Sequence, residues 1–171
     1  MRRNSIRLTV ILALSFAGFL QPYIWTPQTY AASETNVEVA SKRLGFEEAY
    51  LPTLDGIIAE SRKFGMFSGR KNRDTEELRI RLIRERVVAG KSDVLGKARE
   101  SVAETLSDEE LAHLLANLVR EDGKIGDAKA SETREIVVKL YRDAIFNAIM
   151  ASVVPVQEQA DKMVEAGEAT K

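Results

Sequence analysis

The sequence predicts an all-α protein, a four to five helix bundle that follows a cleaved N-terminal signal peptide. Three observations lead there. Beyond Ala31, apolar residues recur at steps of three and four, the helical period. No stretch alternates polar and apolar residues between hairpin turns. The first 31 residues carry a basic, an apolar and a small-residue region in the order of an export leader.

Arg2, Arg3 and Arg7 form the basic region, and Leu8 to Leu20 is an uncharged run of 13 residues. As a helix that run spans about 20 Å, short of a hydrocarbon core of about 30 Å. Gln21, Pro22 and Pro27 follow, then Thr29 and Ala31, small residues at the -3 and -1 positions of a cut before Ala32. An uncleaved anchor or a buried N-terminal helix is the alternative. Export with cleavage after Ala31 fits the three regions better, and the destination is periplasmic or secreted. The chain has no Cys, so a lipoprotein anchor, a disulfide scaffold, a zinc-thiolate site and a thiol nucleophile are all excluded.

The expected organisation is a signal peptide over 1–31, a flexible N-terminal segment over 32–43, one helical domain over 44–167 and a loose tail over 168–171. Phe46, Tyr50, Leu54, Ile57, Ile58 and Ser61 make one helical face, and Pro52 must either start that helix or kink it. Phe64, Met66 and Phe67 then form an apolar turn around Gly65 and Gly69 that is expected to tuck into the core. Asp74 and Glu77 open a second helix, to about Val88, and Gly90 ends it. Ser92 or Asp93 caps a third, which carries Val94, Leu95, Ala98, Val102 and Leu106.

Ser107-Asp-Glu-Glu110 has the spacing of a capping box. The stripe behind it, Leu111, Leu114, Leu115, Leu118 and Val119, lies within about 100° of arc. Ser131 is the expected cap of the longest helix, with Ile136, Val137, Leu140, Tyr141, Ile145, Ile149 and Val153 inward. Almost the whole girth from 144 to 154 is apolar, which implies a central, buried helix; an exposed one would imply self-association or a partner groove. Pro155 predicts a kink or break near Ala151, followed by a short last segment.

Charge is unevenly placed: net -4 over 32–61, +7 over 62–99 and -7 over 100–171. The basic block holds the candidate anion-binding residues Arg70, Lys71, Arg73, Arg79, Arg81, Arg84, Arg86 and Lys91. They read either as a patch for lipid headgroups, an acidic glycan or nucleic acid, or as cations matched internally by acidic helices or spread on a plain solvated face. On a helix from Leu78, Arg79, Arg81, Arg84 and Arg86 stand near about 100°, 300°, 240° and 80°. They share no stripe, which favours internal matching or a solvated face over a single patch. No interleaved aromatics accompany them, so nucleic acid is not an expected partner.

The sequence carries few signs of chemistry. Against the calcium-loop pattern, Asp122-Gly-Lys-Ile-Gly-Asp127 places Leu118, Arg120 and Lys129 where oxygen ligands are needed. Glu47-Glu48, Glu76-Glu77 and Glu109-Glu110 are neighbours about 100° apart on a helix, so they do not converge on one substrate. His113, the only histidine, points away from the leucine stripe with no carboxylate beside it in sequence. No phosphate-binding, dinucleotide or nucleophile-elbow motif occurs. Catalytic residues, metal and cofactor are therefore expected to be none. A carboxylate-dependent enzyme acting on an envelope polymer is the enzymatic alternative.

Leu106, Ser107, Glu109, Glu110, Leu111, Leu114 and Gly123 carry a resemblance. The stretch is similar to a family of secreted, helical bacterial proteins of unknown function, with signature F-[ST]-x-E-E-L-x-x-L-x-x-F-Y-x-S-P-x-G. Asn117-Leu118 stands at its F-Y position and Arg120-Glu121 at its S-P position. Leu114 to Tyr141 also resembles tellurite-resistance-type helical domains, which place D-G-x-[IV] between helices. Lys129 stands where those usually have a carboxylate. The first resemblance implies secretion and a helical fold, and neither implies a catalytic residue. Together these readings describe an exported, non-enzymatic helical protein of the bacterial envelope or exterior. Its expected partner is a protein, or a second copy, at the apolar helix 131–154.

Overall fold

The computed structural model describes residues 32–68, 73–118 and 127–167. The expected leader over 1–31, Gly69, Val119, the 122–126 part of the loop and the tail over 168–171 lie outside the described residues. Six helices appear and, among the described residues, no strand: α1 (Glu34–Arg43), α2 (Phe46–Lys63), α3 (Arg73–Ala89), α4 (Lys91–Thr105), α5 (Asp108–Asn117) and α6 (Ala128–Glu165). The all-α class is as the periodicity predicts, with one helix more than expected.

The extra helix is α1, in the segment expected to be flexible. Ser33 caps it, with Oγ accepting from the Asn36 amide. Its inner face is only Val37 and Ala40, both buried, too little apolar signal to be read in advance. The anchor is remote: Asp108 Oδ1 accepts from the Ser33 amide at 2.6 Å and from Asn36 Nδ2 at 2.8 Å. Gly45, at φ 68°, ends α1 and caps α2. A side chain there would be strained, since L-residues rarely adopt that region.

On α2, Tyr50, Leu54, Ile57, Ile58 and Ser61 are buried as read. Pro52 neither starts nor interrupts the helix. Pro52 and Glu48, whose carbonyl lacks the missing N–H, are both exposed residues, so solvent has access to the place of the lost bond. In the turn beyond α2, Phe67 is buried and Met66 packs against the core, but Phe64 is 84% exposed. That corrects the expectation that all three tuck in. Gly65, at φ 68°, turns the chain there.

Gly90 serves both as the end of α3 and as the N-cap of α4, with no side-chain cap. Ser92 and Asp93 lie inside α4 rather than before it. The α5 capping box forms as predicted: Ser107 Oγ accepts from the Glu110 amide, and Glu110 Oε2 accepts from the Ser107 amide at 2.8 Å. Leu111 and Leu114 are fully buried.

The 38-residue α6 is the spine, about 57 Å long. It packs against α2, α3, α4 and α5, while α1 closes the far side against α4, α5 and α2. Its cap is Asp127, not Ser131, and Asp127 Oδ1 accepts from the Ala130 amide at 2.8 Å. Val137, Tyr141, Ile145, Ile149 and Val156 form the buried face. Pro155 does not break the helix, which runs on to Glu165 and absorbs the expected separate last segment. As at Pro52, the proline and the residue four before it, Ala151, are exposed.

Candidate functional site

The basic block is not one face. Arg70 and Lys71 lie outside the described residues; Arg73 opens α3, but its side chain lies outside them as well. Arg79 is 7% exposed, between α3 and α6, and donates from a guanidinium NH2 to Asp161 Oδ1 at 3.1 Å. Its Nε has no hydrogen-bond partner. It is therefore a core cation, which corrects its place among the candidate anion-binding residues. Arg84 grips both oxygens of Asp55, and that pairing holds the Asp55 carboxyl below its ordinary range. Lys91 donates to the Glu47 carbonyl oxygen at 3.1 Å and sits 5.6 Å above the Tyr50 ring. Arg81 and Arg86 are exposed. Internal matching describes Arg79, Arg84 and Lys91.

His113 has a partner that sequence reasoning missed. Its Nε2 lies 2.8 Å from Asp127 Oδ1. The histidine and the Ala130 amide together hold the Asp127 carboxyl below its usual pKa. With that carboxylate ionised, Nε2 is the donor. The link fastens α5 to the start of α6. Asp127 could have been found as a cap acceptor three residues before the Ala130 amide, but its neighbour His113 could not, because the pairing depends on how two helices meet.

Two grooves flank α6. One of about 430 Å³ lies against α2, walled by Phe46, Tyr50, Ile57, Val138, Tyr141 and Ile145, with the Glu60–Arg142 ion pair on its rim. Phe46 and Tyr141 stack there at 3.8 Å between centroids. Burial raises the Tyr141 hydroxyl's pKa against the opposing effect of Ser41 and Arg99, and that hydroxyl makes no hydrogen bond of good geometry. The other groove, about 630 Å³, lies against α3 and α4, with Asp93 and Asp143 on its walls. Each of these acids is paired with a lysine one turn away on its own helix, Lys97 and Lys139.

Asp55, Asp108, Glu110 and Asp127 are all held below the ordinary carboxylate range. The causes are the Arg84 pairing, the Ser33 amide and Asn36, the Ser107 amide, and His113 with the Ala130 amide, in that order. A general acid at neutral pH needs the opposite displacement. Among the described residues, no cluster of three acidic or imidazole side chains could hold a metal ion, and no helix is long and apolar enough to cross a membrane.

The least ordinary surface is the outer face of α6. From Ala144 to Gln157 the helix has no charged residue. Phe146, Met150 and Val154, spaced by four, are 38%, 39% and 66% exposed. The sequence placed α6 at the centre of the bundle, as it is, but expected its whole girth to be covered; one ridge is not. Comparison with protein-family models, curated proteins and solved structures finds no match.

Proposed function

We propose that this chain is exported, is cut after Ala31, and acts without catalysis as a partner-binding protein of the bacterial envelope or exterior. The ridge of Phe146, Met150 and Val154 carries the binding part of this reading. An apolar, charge-free helix face about 20 Å long is the form in which a helix offers itself to another helix or to an apolar groove. The downward-shifted carboxylates support a non-catalytic role, because they act as caps, anchors and ion-pair partners. The leader pattern of residues 1–31 supports export.

The test is a photo-crosslinking residue at Val154 in the full-length chain, expressed in a bacterial host and fractionated. A specific adduct is expected from periplasm or medium, and Met150→Glu should abolish it. An adduct of twice the chain's mass would make the partner a second copy. Absence of any adduct, together with turnover of a cell-wall polymer, would overturn the reading.

A further inference from the structure

We propose that the corner where α4 ends is a socket for a primary ammonium, and that its ligand is the chain's own mature N-terminus, the α-amino group of Ala32. The inference rests on the export reading above, with its cut after Ala31. The backbone nitrogen of Ala32 lies 3.1 Å from the Ala103 carbonyl oxygen and 3.0 Å from that of Leu106. In an uncut chain this nitrogen is an amide with one hydrogen, which two acceptors have to share. An ammonium has three hydrogens, so cleavage lets each carbonyl take one of its own.

The acceptors are free for a reason found one residue on. In a continuing helix the Ala103 carbonyl would receive the Ser107 amide. That amide is turned away into the capping box, where it donates to Glu110 Oε2 at 2.8 Å. Leu106 is the extended C-cap of α4. Both carbonyls therefore stand at a helix C-terminus, where the partial charge is negative and a cation is favoured. Asp108 adds a full negative charge next to the socket, since its carboxylate holds the amide of Ser33, the second residue of the cut chain. Ala32 itself is 7% exposed and belongs to the hydrophobic core cluster. A protease needs an accessible, extended chain at its cut site, so cutting precedes seating, and the new terminus then closes the corner between α1, α4 and α5.

Two purified chains test this: one that begins at Ala32, and one that keeps Ala31 as its first residue. The Ala32 chain is expected to melt about 2–4 °C higher, the displacement that one charge at a helix end gives a protein of this size. Its α-amine should be acylated at least about tenfold more slowly in the native state than in urea, as a seated group opens only by local unfolding. The Ala31 amine of the longer chain should show no such protection. Equal melting temperatures, or an Ala32 amine that reacts equally fast folded and unfolded, would overturn the socket. N-terminal sequencing of the exported protein separates the two readings: a first residue other than Ala32 removes the cut and the ligand together. Ala32 at the terminus with no protection removes the socket alone.

Discussion

Ile149 and Met150 are neighbours on α6, yet they point about 100° apart, and the reading of the whole molecule turns on which way each faces. Ile149 is fully buried and Met150 is 39% exposed. Ile149→Ala removes three carbons from the packed centre, a change that costs about 2–5 kcal/mol through lost transfer energy and the cavity left behind. Met150→Ala loses only the part of its area that the fold covers, so roughly 1 kcal/mol is expected from full-burial values of about 1.5–3. The 140 residues from Ala32 to Lys171 imply an unfolding entropy near about 0.29 kcal/mol/K, so 3 kcal/mol lowers Tm by about 10 °C. Thermal and urea melts followed by helical circular dichroism, at low micromolar protein to keep any association dilute, should resolve that gap. Met150→Ala should in turn weaken crosslinking at Val154, where Ile149→Ala in its folded fraction should not. If the two variants melt within about 0.5 kcal/mol of each other, or Met150→Ala is the worse, the faces of α6 are wrongly assigned and the ridge is not a surface.

Other consequences are checked by the same melts. Arg79→Met should leave stability unchanged or raise it, because the guanidinium is buried with Nε unpartnered, whereas Asp161→Asn should cost about 1–2 kcal/mol by stranding it; the reverse order would refute the core-cation assignment. Ser107→Ala should cost about 1 kcal/mol, with much of that loss absent when Glu110→Ala is already in place, since the two act as one capping box. The depressed carboxylates at Asp55, Asp108, Glu110 and Asp127 contribute stability that is present above their unfolded values near about 4 and lost as pH falls through the lower folded ones. Tm should therefore drop steeply below about pH 4. Asp127→Asn should flatten that acid limb, and an unchanged limb would show that the His113 and Ala130 bonds to Asp127 carry no linkage.

What could be read in advance was whatever local chemistry decides. The Ser107 box needs only residues three apart, and the buried faces of α2, α4 and α6 repeat strongly enough to be followed by eye. Tyr50, Leu54, Val94, Leu95, Ala98, Val102, Leu111, Leu114, Val137, Tyr141, Ile145 and Ile149 are all core. What escaped was decided at a distance. α1 has two buried residues of its own and hangs on Asp108, 75 positions from Ser33. Arg79 is buried because Asp161, 82 positions later, meets it. His113 looked unpartnered because its carboxylate belongs to the next helix. The candidate surface was half legible: the apolar girth was plain, but which ridge stays uncovered depends on how four helices divide α6 among them.

The prolines show how packing carries a helix past a residue that by itself would end it. Proline in a helix interior removes one backbone bond and crowds the preceding turn, at a cost of about 3 kcal/mol where nothing compensates. From sequence that cost argues for an end or a kink. In the fold both prolines stand on the solvent side, and so do Glu48 and Ala151, whose carbonyls lose their donors, which leaves those positions open to hydration. The helix continues because its opposite face is held: Ile149, Val156 and Ala160 are buried on either side of Pro155. Burying those side chains secures more than the single lost bond removes, which is why tertiary packing overrides local propensity here. The same logic keeps the outer ridge in place. Val154 and Met150 stay presented on an unbroken rod because the inner side chains fix the helix through the proline. A break at Ala151 would have divided that ridge between two segments.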